Sequence, residues 1–133
     1  MSGVLIIRAL LAANAAVLAQ VPASKIMAGV IPINTVLPAI SVAQISGVTR
    51  NTIGMNEAKV LATDRVQITC MAKTYAQQKL LLDVVRAACP NTYGAVNGVQ
   101  CDSIWSDVVG PDVFDSDMTI YFQSVDLFVR YSR

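Results

Sequence analysis

The sequence predicts an α+β domain, a mostly antiparallel sheet of four to five strands with two helices packed against it, and three observations carry that prediction. Apolar residues recur at steps of three and four in two separated segments, the signature of helices with a buried face. Elsewhere, apolar and polar side chains alternate with period two, as strands do. The resulting order of helix, three strands, helix and two strands lacks the repeated strand-helix-strand rhythm of a doubly wound parallel sheet. At 133 residues the chain is sized for a single domain, 1–133.

Val4, Ile7, Leu11, Ala15 and Leu18 form the stripe of the first helix, with Ser2 as its cap and Val21-Pro22 as its end, because the residue before a proline avoids helical dihedrals. Leu5, Ile6, Leu10 and Val17 make its other faces apolar too, so more than one side needs cover. Residues 25–31 read as a short strand closed by Pro32, and Pro38 opens a second strand over Ala39–Ile45. From 47 to 60 the composition turns to Gly, Asn, Thr and isolated charges, which predicts a long loop or hairpin arm. Val66, Ile68, Cys70 and Ala72 alternate with Arg65, Gln67, Thr69 and Met71, a strand with one polar face.

Thr74 followed by Gln77 is a capping-box pattern, and Leu81, Val84 and Ala88 then line a helix whose polar side holds Gln78, Lys79, Asp83 and Arg86. Cys89-Pro90 stops it. Residues 91–97 read as a turn, Val99–Val109 as a strand containing Trp105, and Gly110-Pro111 as its break. Residues 118–131 form the longest strand-like run, apolar on both faces.

Composition narrows the function. Apolar residues make up 54% of the chain and charged ones 14%, where soluble domains average about 25% charged. That surplus of apolar surface needs a bilayer or other subunits to cover it. A spanning helix would need about 18 unbroken apolar residues, and Arg8, Asn14, Gln20 and Pro22 interrupt the best stretch. Nor does that stretch read as a secretory signal, since no basic residue precedes its apolar run. Subunit contact is the expectation that remains, with no membrane partner.

The chain holds no histidine, which removes Ser-His-Asp and Cys-His nucleophiles, HExxH zinc sites and histidine acid-base chemistry. Cys70, Cys89 and Cys101 include no CxxC pair and are odd in number, so buried reduced thiols are expected rather than a metal site or a disulfide framework. The glycines match no phosphate-binding motif. Arg50, Lys59, Arg65 and Lys73 form a basic stripe, yet no aromatic residue precedes Tyr75 to interleave with it, so a solvated face fits better than a nucleic-acid site. No catalytic residue, cofactor or metal is expected.

Charge is unevenly placed. Residues 1–100 hold eight basic and three acidic side chains (+5), and 101–133 hold two basic and six acidic (−4), for a total of +1. Asp107, Asp112, Asp115 and Asp117 lack the ligand spacing of a calcium loop and suit turns or a partner-facing segment.

The order of short segments resembles the tail-completion family of long-tailed bacteriophages, the tail terminators or tail-to-head joining proteins. Carrying the resemblance are a small-residue helix (Ala9 to Val17), Leu37-Pro38-Ala39-Ile40, Arg65-Val66-Gln67-Ile68 leading to Thr74-Tyr75-Ala76, Val84 to Ala88, and a closing Asp126-Leu127-Phe128-Val129-Arg130-Tyr131. Ala39 departs from the pattern, where a larger side chain is expected after the proline. The resemblance implies a tail-terminator-like fold and a non-enzymatic virion protein. It implies a homo-oligomeric ring, hexameric by preference, that caps the tail tube, ends its polymerisation and meets the head-completion or stopper protein. DNA would pass through the lumen without specific binding, and assembly would occur in the host cytoplasm. Another connector ring, a stopper or an adaptor, is the near alternative, and a small ligand-binding or enzymatic subunit the distant one. The expected subunit interface is Val4, Ile7, Leu11, Leu18, Arg50, Ile53 and Met55, and the lumen- or partner-facing segment is Asp107, Asp112, Asp115 and Asp117.

Overall fold

The structure is a computed structural model that describes all residues except 1, 30, 33–35, 51–60, 118 and 133. Its N-terminal helical segment is two helices, α1 (Ser2–Ala13) and α2 (Ala15–Gln20), where the periodicity predicts one. Asn14 makes the break. Its backbone is extended, and its side-chain oxygen accepts from the N–H groups of Ala16 and Val17 at 3.0 and 3.2 Å, which caps α2. Ser2 lies inside α1 and does not precede it. Val21 is extended before Pro22, as expected, and a 3-10 turn at Ala23–Lys25 leads into β1 (Ile26–Ala28).

The remaining strands are β2 (Ala39–Arg50), β3 (Leu61–Ala72), β4 (Gly94–Val96), β5 (Val99–Val109), β6 (Val113–Asp115) and β7 (Ile120–Ser132). Helix α3 (Tyr75–Ala88) starts at Thr74, whose hydroxyl accepts from the Gln77 N–H as its sequence pattern predicts. The α+β class holds, but the counts do not: among the described residues seven strands and three helices stand where four to five and two are predicted. The two strands not predicted, β4 and β6, are three residues long, too short to show a period.

The strands run in the order β1-β2-β3-β7-β5-β4, with β6 beside β7 beyond the end of β5. The sheet is mixed, because β1 lies parallel to β2 while the other pairs are antiparallel. Asn97 and Gly98 both take positive φ (51° and 79°), the turn that joins β4 tightly to β5. What reads as a loop in 91–97 therefore contains a strand.

One face of the sheet is covered and the other is open. Ala62, Val66, Ile68, Cys70 and Ala72 of β3 sit beside Val125, Leu127, Val129 and Tyr131 of β7 and Ile40 and Val42 of β2, all buried. Ile6, Ile7, Leu11, Val17, Leu81 and Val85 complete that core from the helices. Gln78 is 1% exposed, on the inner side of α3 and not on the polar side where its pattern puts it. It donates to the Gln123 side-chain oxygen at 3.2 Å, and the Gln123 nitrogen donates to the Gly110 carbonyl at 2.7 Å, so these amides are paired inside the core.

The start of α1 is fastened to the sheet by Asp64, 4% exposed. Its carboxylate accepts from the Gly3 N–H at 3.1 Å and from the Tyr131 hydroxyl at 2.9 Å. A negative group at a helix N-terminus is favoured by the helix dipole. Glycine is needed at 3 for space, since a Cβ there would fall 2.8 Å from the Asp64 Cβ.

Candidate assembly surfaces

Val4, Ile7 and Leu11 are 4%, 0% and 0% exposed and belong to the chain's own core. This corrects their assignment to a subunit interface, because the apolar stripe of α1 is already used against the sheet. Leu18, at 39% exposed, faces outward from α2. Arg50 is exposed at the last position of β2. Ile53 and Met55 lie outside the described residues. The 47–60 arm is in part regular strand, with Gly47–Arg50 paired to Leu61–Asp64, and the rest of it also lies outside the described residues. Glycine and threonine disguise a strand there because its exposed side chains need not be apolar.

The predicted acidic segment does not act as one unit. Asp107 reaches the open face of the sheet and pairs with Arg65 at 3.2 Å. Asp112 joins the corner between β5 and β6 to α3, accepting from Lys79 and from the Tyr75 hydroxyl at 3.0 Å. The Lys79 bond holds the Asp112 carboxyl below its ordinary pKa, and the Asp112 bond in turn raises that of Lys79. Asp115 ends β6, and its carboxylate accepts from the Asp117 N–H in the turn to β7. Beside them, Tyr121 packs between Tyr75 and Phe114, at centroid distances of 5.9 and 4.5 Å.

The open face is organised around Arg65, which donates to Asp126 through Nε at 3.1 Å and a terminal nitrogen at 2.6 Å. Those hydrogen bonds to Asp126 raise the Arg65 pKa and commit its charge. Gln67 donates to the other Asp126 oxygen, and Thr69 and Ser124 share a hydrogen bond at 2.9 Å. Trp105 stacks on Phe128 at 5.3 Å, and Arg65 and Arg130 flank that pair at 5.7 Å from Phe128 and 6.0 Å from Trp105. Alternation alone puts Asp126, Phe128 and Arg130 on one face of β7. It does not reveal Trp105 opposite Phe128, since that requires the register of β5 against β7.

Two strands on opposite flanks of the sheet run past their outer neighbours. β1 covers only Ile40–Val42, so among the described residues β2 has an uncovered edge from Ala43 to Arg50, with Ile45 51% and Val48 53% exposed. β4 covers only Val99–Cys101, and the Asn91 side chain accepts from the Ile104 N–H. Past that point no strand among the described residues covers β5, and Trp105, Val108 and Val109 are 42%, 50% and 39% exposed.

Nucleophilic chemistry finds no support in the thiols. Burial pushes Cys70 and Cys89 up to about 12, and Cys101 is also raised, first by burial and then by Asp102. A shallow open cleft lined by Leu5, Arg8, Ala9, Ala12, Ala23 and Asn97 contains one charged group, and Arg8 Nε already donates to the Ile26 carbonyl. No helix among the described residues is long and apolar enough to cross a membrane.

The family model for tail completion protein gp17 matches residues 6–112. Among solved structures, the chain is similar to a component of the virion of a native gene transfer agent particle, with a TM-score of 0.67 and 12% identity over 96% of this chain and 92% of that one. At that identity the likeness speaks for the fold. A search of curated proteins found no match.

Proposed function

The chain belongs to the tail completion protein gp17 family, a family of structural tail proteins, and from that premise we propose that it is the terminator: a homo-oligomeric ring, six copies by preference, that caps the tail tube. The ring ends polymerisation of the tube protein and offers its other side to the head-completion or stopper protein. It assembles in the host cytoplasm and stays in the neck of the virion. The family match carries this reading, and the two unlike uncovered edges of the sheet support it. A ring needs two different patches per subunit, placed so that each copy presents one to each neighbour.

The arrangement works mechanically and without turnover. DNA passing through the lumen is held back by lines of unneutralised Lys and Arg. On the open face, Arg65 is paired with both Asp107 and Asp126 and Arg130 lies over the Trp105 ring, so a lumen lined by that face has no continuous phosphate-seeking stripe. Asp112, Asp115 and Asp117 stand at one end of the sheet and Arg50 at the other. Opposite ends of unlike charge suit a ring that meets a different protein above and below.

Native mass spectrometry of the protein mixed with purified tail tubes tests the reading. Six copies per tube end, and tubes that stop lengthening, are expected. A single copy in the presence of tubes, with growth unchanged, would overturn it.

A further inference from the structure

Asn97 and Gly98 make the whole connection between β4 and β5, and they are the single Asn-Gly step in the sequence. The pair suits a type I′ turn, in which both central residues take positive φ. It also brings a reactivity of its own. An asparagine side chain holds its amide carbon within reach of the next residue's backbone nitrogen, and a glycine there has no side chain to shield that nitrogen. The other five asparagines are better protected. Asn34, Asn51 and Asn91 precede threonine, whose branched Cβ crowds the nitrogen, while Asn14 precedes alanine and Asn56 precedes glutamate.

We propose that Asn97-Gly98 is a self-modification site, where the protein converts its own asparagine to aspartate and isoaspartate with water as the only reagent. Two features of the fold leave it open to this. Asn97 and Gly98 are both exposed. Among the described residues, neither the Asn97 side-chain amide nor the Gly98 N–H has a hydrogen-bond partner, because the ladder stops at the pair of Val96 and Val99. Hydroxide takes the Gly98 amide proton, and that nitrogen attacks Cγ of Asn97. The N–Cγ bond forms as the Cγ–Nδ2 bond breaks, Nδ2 leaves as ammonia with a proton from water, and a five-membered succinimide remains. Water then opens either of its carbonyls. In sum one water enters and one ammonia leaves, with no oxidant or cofactor.

Two changes follow at this corner of the molecule. The product carboxylate is ionised at neutral pH, and it enters the shallow cleft in which Arg8 is the one charged lining residue. Isoaspartate also reroutes the main chain through Cβ. That adds an atom to a two-residue connection, and the tight closure of Val96 on Val99 is lost. β4 covers β5 only at Val99–Cys101, so this edge of the sheet opens with the turn. A tail protein built into a particle is not resynthesised, and the altered fraction grows with the particle's age.

Ageing the purified full chain at mildly alkaline pH tests this, with the free peptide Ala95–Val99 as the clock. Mass spectrometry with fragmentation should find Asn97 converted ahead of the other five asparagines, with isoaspartate in excess over aspartate. Ion exchange should show the matching acidic form grow. Asn97→Gly keeps a turn that accepts positive φ and should remove that form entirely. Asn97 still intact when the peptide has fully converted would overturn the proposal, as would an acidic form that grows equally in Asn97→Gly. Hydrogen exchange on the separated isoaspartate form reads the effect on the sheet. The amides of Gly94–Val96 and Val99–Cys101 should lose protection relative to the fresh protein, and equal protection would overturn the opening of this edge. None of these readouts needs a ring, so the terminator reading stands or falls separately.

Discussion

The two faces of β3 differ by one residue in sequence and by everything in environment. Ala62, Val66, Ile68, Cys70 and Ala72 point under the helices and are at most 3% exposed, while Thr63, Arg65, Gln67 and Thr69 stay half-buried on the open side. The covered face is held by apolar burial and tolerates polar groups only where they are fully satisfied, as at Asp64 and at Gln78 with Gln123. The open face is held by hydrogen bonds and ion pairs among its own side chains. Such a face keeps its form without a covering layer and still presents a surface to something else.

Adjacent substitutions should expose that difference. Ile68→Ala removes a fully buried side chain and should cost about 2–5 kcal/mol in denaturant unfolding. Thr69→Ala, next to it, loses one hydrogen bond and should cost about 0.5–1.5 kcal/mol. Equal costs would mean that the open face is packed as tightly as the core. Asp64→Ala falls between these two and leaves the Gly3 N–H and the Tyr131 hydroxyl without this acceptor. The expected loss is about 1–3 kcal/mol, with faster hydrogen exchange confined to the first turn of α1. The smallest effect concerns pH. The Asp112 carboxyl is lowered from 3.8 in the folded chain, chiefly by its bond to Lys79. The resulting stabilisation is present above the ordinary carboxylate value and is lost as pH falls through the folded one. Lys79→Met should flatten that part of the acid unfolding curve and leave the neutral region little changed.

How far the fold is legible from sequence follows the same division. α3 and the second half of β3 are readable because each has one wet and one dry side, so the period survives in the side chains. The outer half of β2 reads as a loop because both its sides are exposed, and exposure imposes no apolar period. The stripe of Val4, Ile7 and Leu11 is visible as a buried surface, but periodicity alone does not say whether the chain or a neighbour covers it. Composition has the same blindness. It registers surplus apolar area and cannot place it at Ile45, Val48, Val108 and Val109, which are scattered through the sequence and brought to the two flanks by strand order.

A continuous helix from Ser2 to Gln20 would run straight for about 28 Å. The corner at Asn14 turns the chain instead, so that Val17, Val21 and Ile26 return to the core and β1 arrives beside β2. A side-chain carbonyl at one bend thus governs the outline of the flank far from it. Replacing that asparagine with alanine would be expected to blur the outline of this flank, and to do so before it weakened the interior.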